Sequence, residues 1–120
     1  MPFTHHGQRQ VVWRGAVPAA AGLWLAVAAV AAQPDISRQQ QLLRLVRQDC
    51  GSCHGMKLTG GLGPALTREA LADRSAETLV ATILHGRPGT PMPPWSSMLS
   101  AVDAKWIAEW LLAGFPQEAR

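Results

Sequence analysis

Cys50-Gly-Ser-Cys53-His54 gathers the only two cysteines of this 120-residue chain and an imidazole into five consecutive positions. No other feature constrains the fold as tightly. C-x-x-C-H is the spacing of covalent haem attachment. Each thiol adds to one vinyl group on the porphyrin edge, and the histidine that follows at once is then held beneath the iron as its proximal ligand. The motif occurs once, so the expectation is one covalently attached haem c per chain, with Cys50 and Cys53 as thioether anchors and His54 as an axial ligand.

Two other uses of such a motif fit poorly. A thioredoxin-like dithiol needs a βαβ setting, and no stretch here alternates apolar and polar residues with the period of a strand. A structural zinc site needs four ligands, and downstream of the motif only His85 remains to complete it. A simple disulfide would leave His54 without a role.

The first residues do not read as part of a domain. Arg9 and Arg14 precede an apolar run from Ala16 to Ala32, broken only by Pro18 and Gly22. A basic stretch followed by an apolar one, with Val30 and Ala32 at the positions that signal peptidase reads, predicts a cleaved signal peptide over 1–32 and a mature domain over 33–120. The competing reading is a retained anchor, since the run sits at the low end of the ~17 to 25 residues that span a bilayer. Its alanine richness makes it a weak span, so the expectation is a periplasmic protein with no stable membrane association after cleavage. Losing 1–32 removes two of eleven basic residues and none of the eight acids, which leaves a net charge of +1. Two haem propionates would turn that slightly negative, and nucleic acid is therefore not an expected partner.

The mature sequence reads as all-α. Ser37 is the expected N-cap of an amphipathic helix over Arg38 to Asp49 that runs into the cysteine motif, with Leu42, Leu43, Leu45 and Val46 on its apolar face. Gly55 to Pro64 has a loop composition, and a short helix is expected after Thr67. Ser75 then caps a helix that stops at Gly86. Pro88, Pro91, Pro93 and Pro94 make the next segment stiff and extended. Ser100 with Asp103 forms a capping box for a last helix that places Val102, Trp106, Ile107, Trp110 and Leu111 on one side and ends at Gly114.

The candidates for the second axial ligand are Met56, Met92, Met98 and His85. Met56 follows His54 too closely to reach across the porphyrin plane. Met98 suits a flexible core filler, and His85 a helix C-terminus, where an imidazolium interacts well with the dipole. Met92, held among prolines, is the expected ligand. A ligating histidine normally donates its other ring nitrogen to a backbone or carboxylate acceptor, and the Gly63-Pro64 turn is placed to supply it, with Pro64 as the partner. Leu62, Leu66, Leu79, Ile83 and Trp95 are the expected pocket, and Trp95 or Arg87 is a candidate donor to a propionate.

This order of features over residues 37–114 resembles the class I cytochromes c: a helix ending in C-x-x-C-H, a Gly-Pro loop, a Met-bearing loop and a C-terminal helix with aromatics. The resemblance implies three to four helices wrapped around one haem, with the first and last helices crossing, which would join Leu42 and Val46 to Trp106 and Trp110. Gln48-Asp-Cys-Gly-Ser-Cys-His-Gly-Met56, Gly60-Gly-Leu-Gly-Pro-Ala-Leu66 and Gly86-Arg-Pro-Gly-Thr-Pro-Met-Pro-Pro-Trp95 are similar, more closely, to the small NirC cytochromes. Those are periplasmic monohaem proteins encoded with the cytochrome cd-type nitrite reductase of denitrifying bacteria. That resemblance implies an electron carrier with redox protein partners, nitrite reductase among them, rather than an enzyme. The alternative it leaves open is an accessory role in d-type haem maturation. A ligand-binding or peroxidatic cytochrome would require Met92 to dissociate.

Overall fold

Asp35 starts the first helix. Its backbone is extended, and its Oδ1 accepts the Arg38 amide at 2.9 Å, so α1 spans Ile36–Leu45. Ser37, the expected cap, instead donates its hydroxyl to the same Asp35 oxygen at 2.7 Å and lies inside the first turn. Both residue types cap well, and the carboxylate two positions upstream takes the role because it accepts from the hydroxyl and the amide together. In this computed structural model, which describes residues 32–116, all the regular structure is helical. The expected signal peptide lies outside the described residues, apart from Ala32 at its end. Among the described residues no helix is long and apolar enough to cross a membrane.

Helical backbone continues past α1 without interruption. A π turn over Val46–Cys50 leads into α2, Gly51–His54, with the Gly51 amide reaching back to the Val46 carbonyl. A π turn takes up one extra residue and shifts the phase of the helix that follows. Leu42 and Val46, four apart, thus face the core with no exposed surface, while Cys50 one wide turn later is half-buried and Cys53 is exposed.

Helix α3 spans Ala76–His85, with the Ser75 hydroxyl accepting the Thr78 amide and Gly86 closing its end. Helix α4 spans Ala101–Ala113 and begins with the reciprocal Ser100–Asp103 capping box. The segment after Thr67 forms turns rather than a helix: the Leu71 amide bonds the Thr67 carbonyl, and the Arg74 amide bonds the Leu71 carbonyl. Leu71 is the buried residue of that stretch.

The core unites Leu42 and Val46 of the first helical run with Leu58, Leu71 and Leu99 from the connecting segments and Trp106, Ile107, Leu111 and Phe115 from the last helix and its exit. One expected contact differs. Trp106 is buried, but Trp110 points outward at 38% exposure and packs on it at a tilt of 48° with ring centroids 5.4 Å apart. Four residues exceed one helical turn by about 40°, and the arc covered by the partner elements ends before it reaches Trp110. The crossing is also tied by polar groups: Arg38 pairs with Asp103 at 2.9 Å, and Arg47 donates to the Pro116 carbonyl and lies over the Phe115 ring.

Candidate haem-attachment site

The helical run ends at His54 because Gly55 turns the chain sharply at φ 88°. From there residues 55–66 fold back beneath the imidazole. The Gly60 amide bonds the His54 carbonyl at 2.8 Å, the Gly63 amide bonds the Cys53 carbonyl at 2.7 Å, and the Leu66 amide bonds the Leu58 carbonyl at 2.8 Å. This return needs close approach of backbone to backbone. A Cβ at Gly55 would lie 2.5 Å from the Gly60 oxygen, and one at Gly63 would lie 2.8 Å from two atoms of the His54 ring.

The return also delivers the Pro64 carbonyl to 2.7 Å from His54 Nδ1. A carbonyl can only accept, so Nδ1 carries the proton and Nε2 presents its lone pair. The bond therefore selects the tautomer in which Nε2 can ligate a metal, and Gly63 against the ring fixes its plane.

The two thiols are unpaired. Burial, with the Asp49 carboxylate adding to it, pushes the Cys50 thiol up to about 11, so it is protonated at neutral pH. A thioredoxin-type dithiol works in the opposite way, through a lowered thiol pKa. Among the described residues no group of three or more His, Cys, Asp or Glu is arranged to hold a metal ion.

The proline-rich loop is fastened at its base to the end of α3. The Arg87 amide bonds the Met92 carbonyl at 3.1 Å, and the Trp95 and Ser96 amides bond the Ile83 and Leu84 carbonyls at 3.1 and 3.2 Å. Gly86 lies beneath it at φ 67°, where a Cβ would come within 2.6 Å of the Met92 oxygen. Met92 itself is half-buried, whereas Met56 and Met98 are 70% and 59% exposed and His85 is exposed. Leu66, Leu79, Ile83 and Trp95 are half-buried against the core. Leu62, expected in the pocket, is 94% exposed, two residues before the proline that the turn brings to His54. Arg87 is exposed.

These residues fit a haem. Two free thiols and an imidazole with a committed Nδ1 form the donor set. In addition Leu79, Val80, Ile83 and Leu84 of α3 are only half-buried, which leaves part of their apolar surface for a flat apolar macrocycle to cover.

A family model described as cytochrome C oxidase, cbb3-type, subunit III matches residues 37–111. The chain is 55% identical over 101 residues to cytochrome c55X of Pseudomonas aeruginosa, an alignment covering 77% of this chain and 85% of that one. Among solved structures, c-type cytochrome NirC superposes with a TM-score of 0.66 at 62% identity, over 67% of this chain and 94% of the other. Dihydro-heme d1 dehydrogenase NirN in complex with DHE superposes with a TM-score of 0.57 at 35% identity, over 64% of this chain but only 17% of that one. With its single C-x-x-C-H motif and all-helical fold, the chain belongs to the family described as cytochrome C oxidase, cbb3-type, subunit III, and is a haem c-bearing c-type cytochrome related to NirC and cytochrome c55X.

Proposed function

We propose that this protein is a periplasmic electron carrier that holds one haem c through Cys50 and Cys53, with His54 and Met92 as axial ligands, and passes single electrons to cytochrome cd-type nitrite reductase. The observation that carries the reading is the bond from His54 Nδ1 to the Pro64 carbonyl, which leaves Nε2 as a ready donor. When bound, the haem supplies a one-electron ferric–ferrous couple. The protein's residues decide how that couple behaves. The Pro64 bond fixes the tautomer of His54 and holds its ring still, and the bonds to the end of α3 hold the backbone of the loop that carries Met92. A methionine and a histidine together fill both axial positions and favour a higher potential than two histidines would. A filled coordination sphere suits electron transfer rather than turnover of a bound substrate.

The periplasmic assignment is supported by the basic-then-apolar leader ahead of a domain read as 33–120. The reductase is what the sequence resemblance to the NirC cytochromes implies, and the solved c-type cytochrome NirC is similar over 67% of this chain. A second reading, a role in d-type haem maturation, is favoured by one observation: the likeness at 35% identity to part of a protein whose name is dihydro-heme d1 dehydrogenase. Stopped-flow mixing of the reduced protein with nitrite reductase separates the two. Rapid oxidation of the cytochrome supports the carrier. Slow transfer, together with loss of d-type haem from the reductase of a deletion strain, supports the maturation role.

A further inference from the structure

Between Thr90 and Trp95 the chain runs Pro91-Met92-Pro93-Pro94, and a proline has no N–H, so the Met92 amide is the single main-chain donor of that stretch. The three rings also fix φ at their own positions, which leaves Met92 as the residue whose φ can still turn. Both polar groups of its backbone are nevertheless engaged. The Met92 carbonyl accepts the Arg87 amide at 3.1 Å, and the Met92 amide donates to Thr90 Oγ1 at 3.3 Å.

Thr90 passes the second bond on. Its hydroxyl donates to the Arg87 carbonyl at 2.6 Å, and its amide bonds the same carbonyl at 3.0 Å. Pro88 and Gly89 make the turn between them, with Gly89 at φ 78°. Arg87 and Met92 therefore face each other across a closed loop of six residues. One connection is direct, from the Arg87 amide to the Met92 carbonyl. The return connection, from the Met92 amide to the Arg87 carbonyl, runs through the Thr90 hydroxyl. This ring of bonds includes Met92 itself. Turning the Met92 backbone to withdraw its side chain breaks the bond to Thr90, because the amide swings with φ.

We propose that Thr90 is a positioning residue for Met92, whose hydroxyl ties the Met92 amide to the Arg87 carbonyl and so sets how firmly the thioether is held at the iron. The proposal rests on Met92 being the axial ligand. Its test uses the ferric holoprotein and imidazole as a competing ligand. The apparent affinity of a competitor rises as the native ligand is held less firmly, because a larger fraction of the protein is open to it.

Thr90→Val keeps the branched shape and removes the hydroxyl. It should bind imidazole roughly two- to tenfold more tightly than the parent, the change that one net hydrogen bond brings. Thr90→Ser restores the hydroxyl and should return the affinity to within about twofold of the parent. Phe115→Leu, a buried change at the exit of α4, measures plain destabilisation. It should lower the denaturant midpoint without changing imidazole affinity. Parental affinity in Thr90→Val would mean that the thioether leaves by side-chain rotation alone, and would overturn the proposal. So would an affinity in Thr90→Ser as tight as in Thr90→Val, or an equal shift in Phe115→Leu. The ligand reading fails separately: a far-red methionine–ferric band that survives Met92→Ala overturns it, and the role of Thr90 with it.

Discussion

His54 donates through Nδ1 to the Pro64 carbonyl at 2.7 Å, and this one bond links the end of the first helical run to the loop folded beneath it. It also makes the imidazole a positioned ligand rather than a rotating one. Gly63 completes the arrangement, because the ring occupies the space that a side chain at this position would need.

A methyl group at Gly63 has no room, because its carbon would sit 2.8 Å from His54 Cε1 and Nδ1. Gly63→Ala is expected to tilt the ring and weaken the Pro64 bond, at a cost of about 1–3 kcal/mol. Denaturant melts of the holoprotein should show the loss, and redox titration should show a changed midpoint potential. Unchanged values in both would refute the packing argument.

Met92→Ala is expected to leave the haem covalently attached, as seen by intact mass, while abolishing the far-red ferric band and admitting carbon monoxide to the reduced iron at neutral pH. Gly86→Ala should act in the same direction more weakly. At φ 67° its new Cβ would press on the Met92 oxygen and the Pro93–Pro94 bond. Absorption spectra of the two variants check both statements.

Removing both thiols tests how far the fold depends on its cofactor. The described core consists of nine buried residues with a helix, α3, that buries none of its own. Small domains of this kind need additional support. Cys50→Ala combined with Cys53→Ala is expected to leave the chain largely unfolded, and a cooperative helical melt by circular dichroism would contradict that.

Asp103 gives a prediction with a defined pH dependence. Its bonds to Arg38, together with the Ser100 amide, hold its carboxyl below the usual carboxylate value. A lowered folded-state pKa means that the carboxylate stabilises the fold fully above about pH 4 and loses this effect as pH falls through the folded-state value. Asp103→Asn is therefore expected to cost about 1–3 kcal/mol at pH 7. The difference between parent and variant should be constant above about pH 4 and shrink only as pH falls from there through the lowered folded-state value, as measured by urea midpoints across an acid series.

Features governed by near neighbours in the chain were legible before any fold was known. Ser75 and Gly86 bound α3, and Ser100, Asp103 and Gly114 bound α4, because a cap is satisfied by residues three or four positions away. The first cap was misread by two residues, since Asp35 and Ser37 are both capable and the hydrogen bond between them decides which one acts. The turns after Thr67 and the outward position of Trp110 were misread for another reason: apolar spacing shows which residues could be buried, not how far the covering surface extends.

By itself the sequence determined the chemistry of attachment, with two thiols and an imidazole in one pentapeptide, and the all-helical class, because both depend on residues close together in the chain. The tertiary structure alone decided the rest. It chose the tautomer of His54 by bringing Pro64 to it, placed Gly86 beneath Met92, and joined Arg38 to Asp103 across 65 positions of sequence. Such contacts have no local signature, because they exist only after the core of Leu42, Val46, Trp106 and Ile107 has brought the first and last helices together.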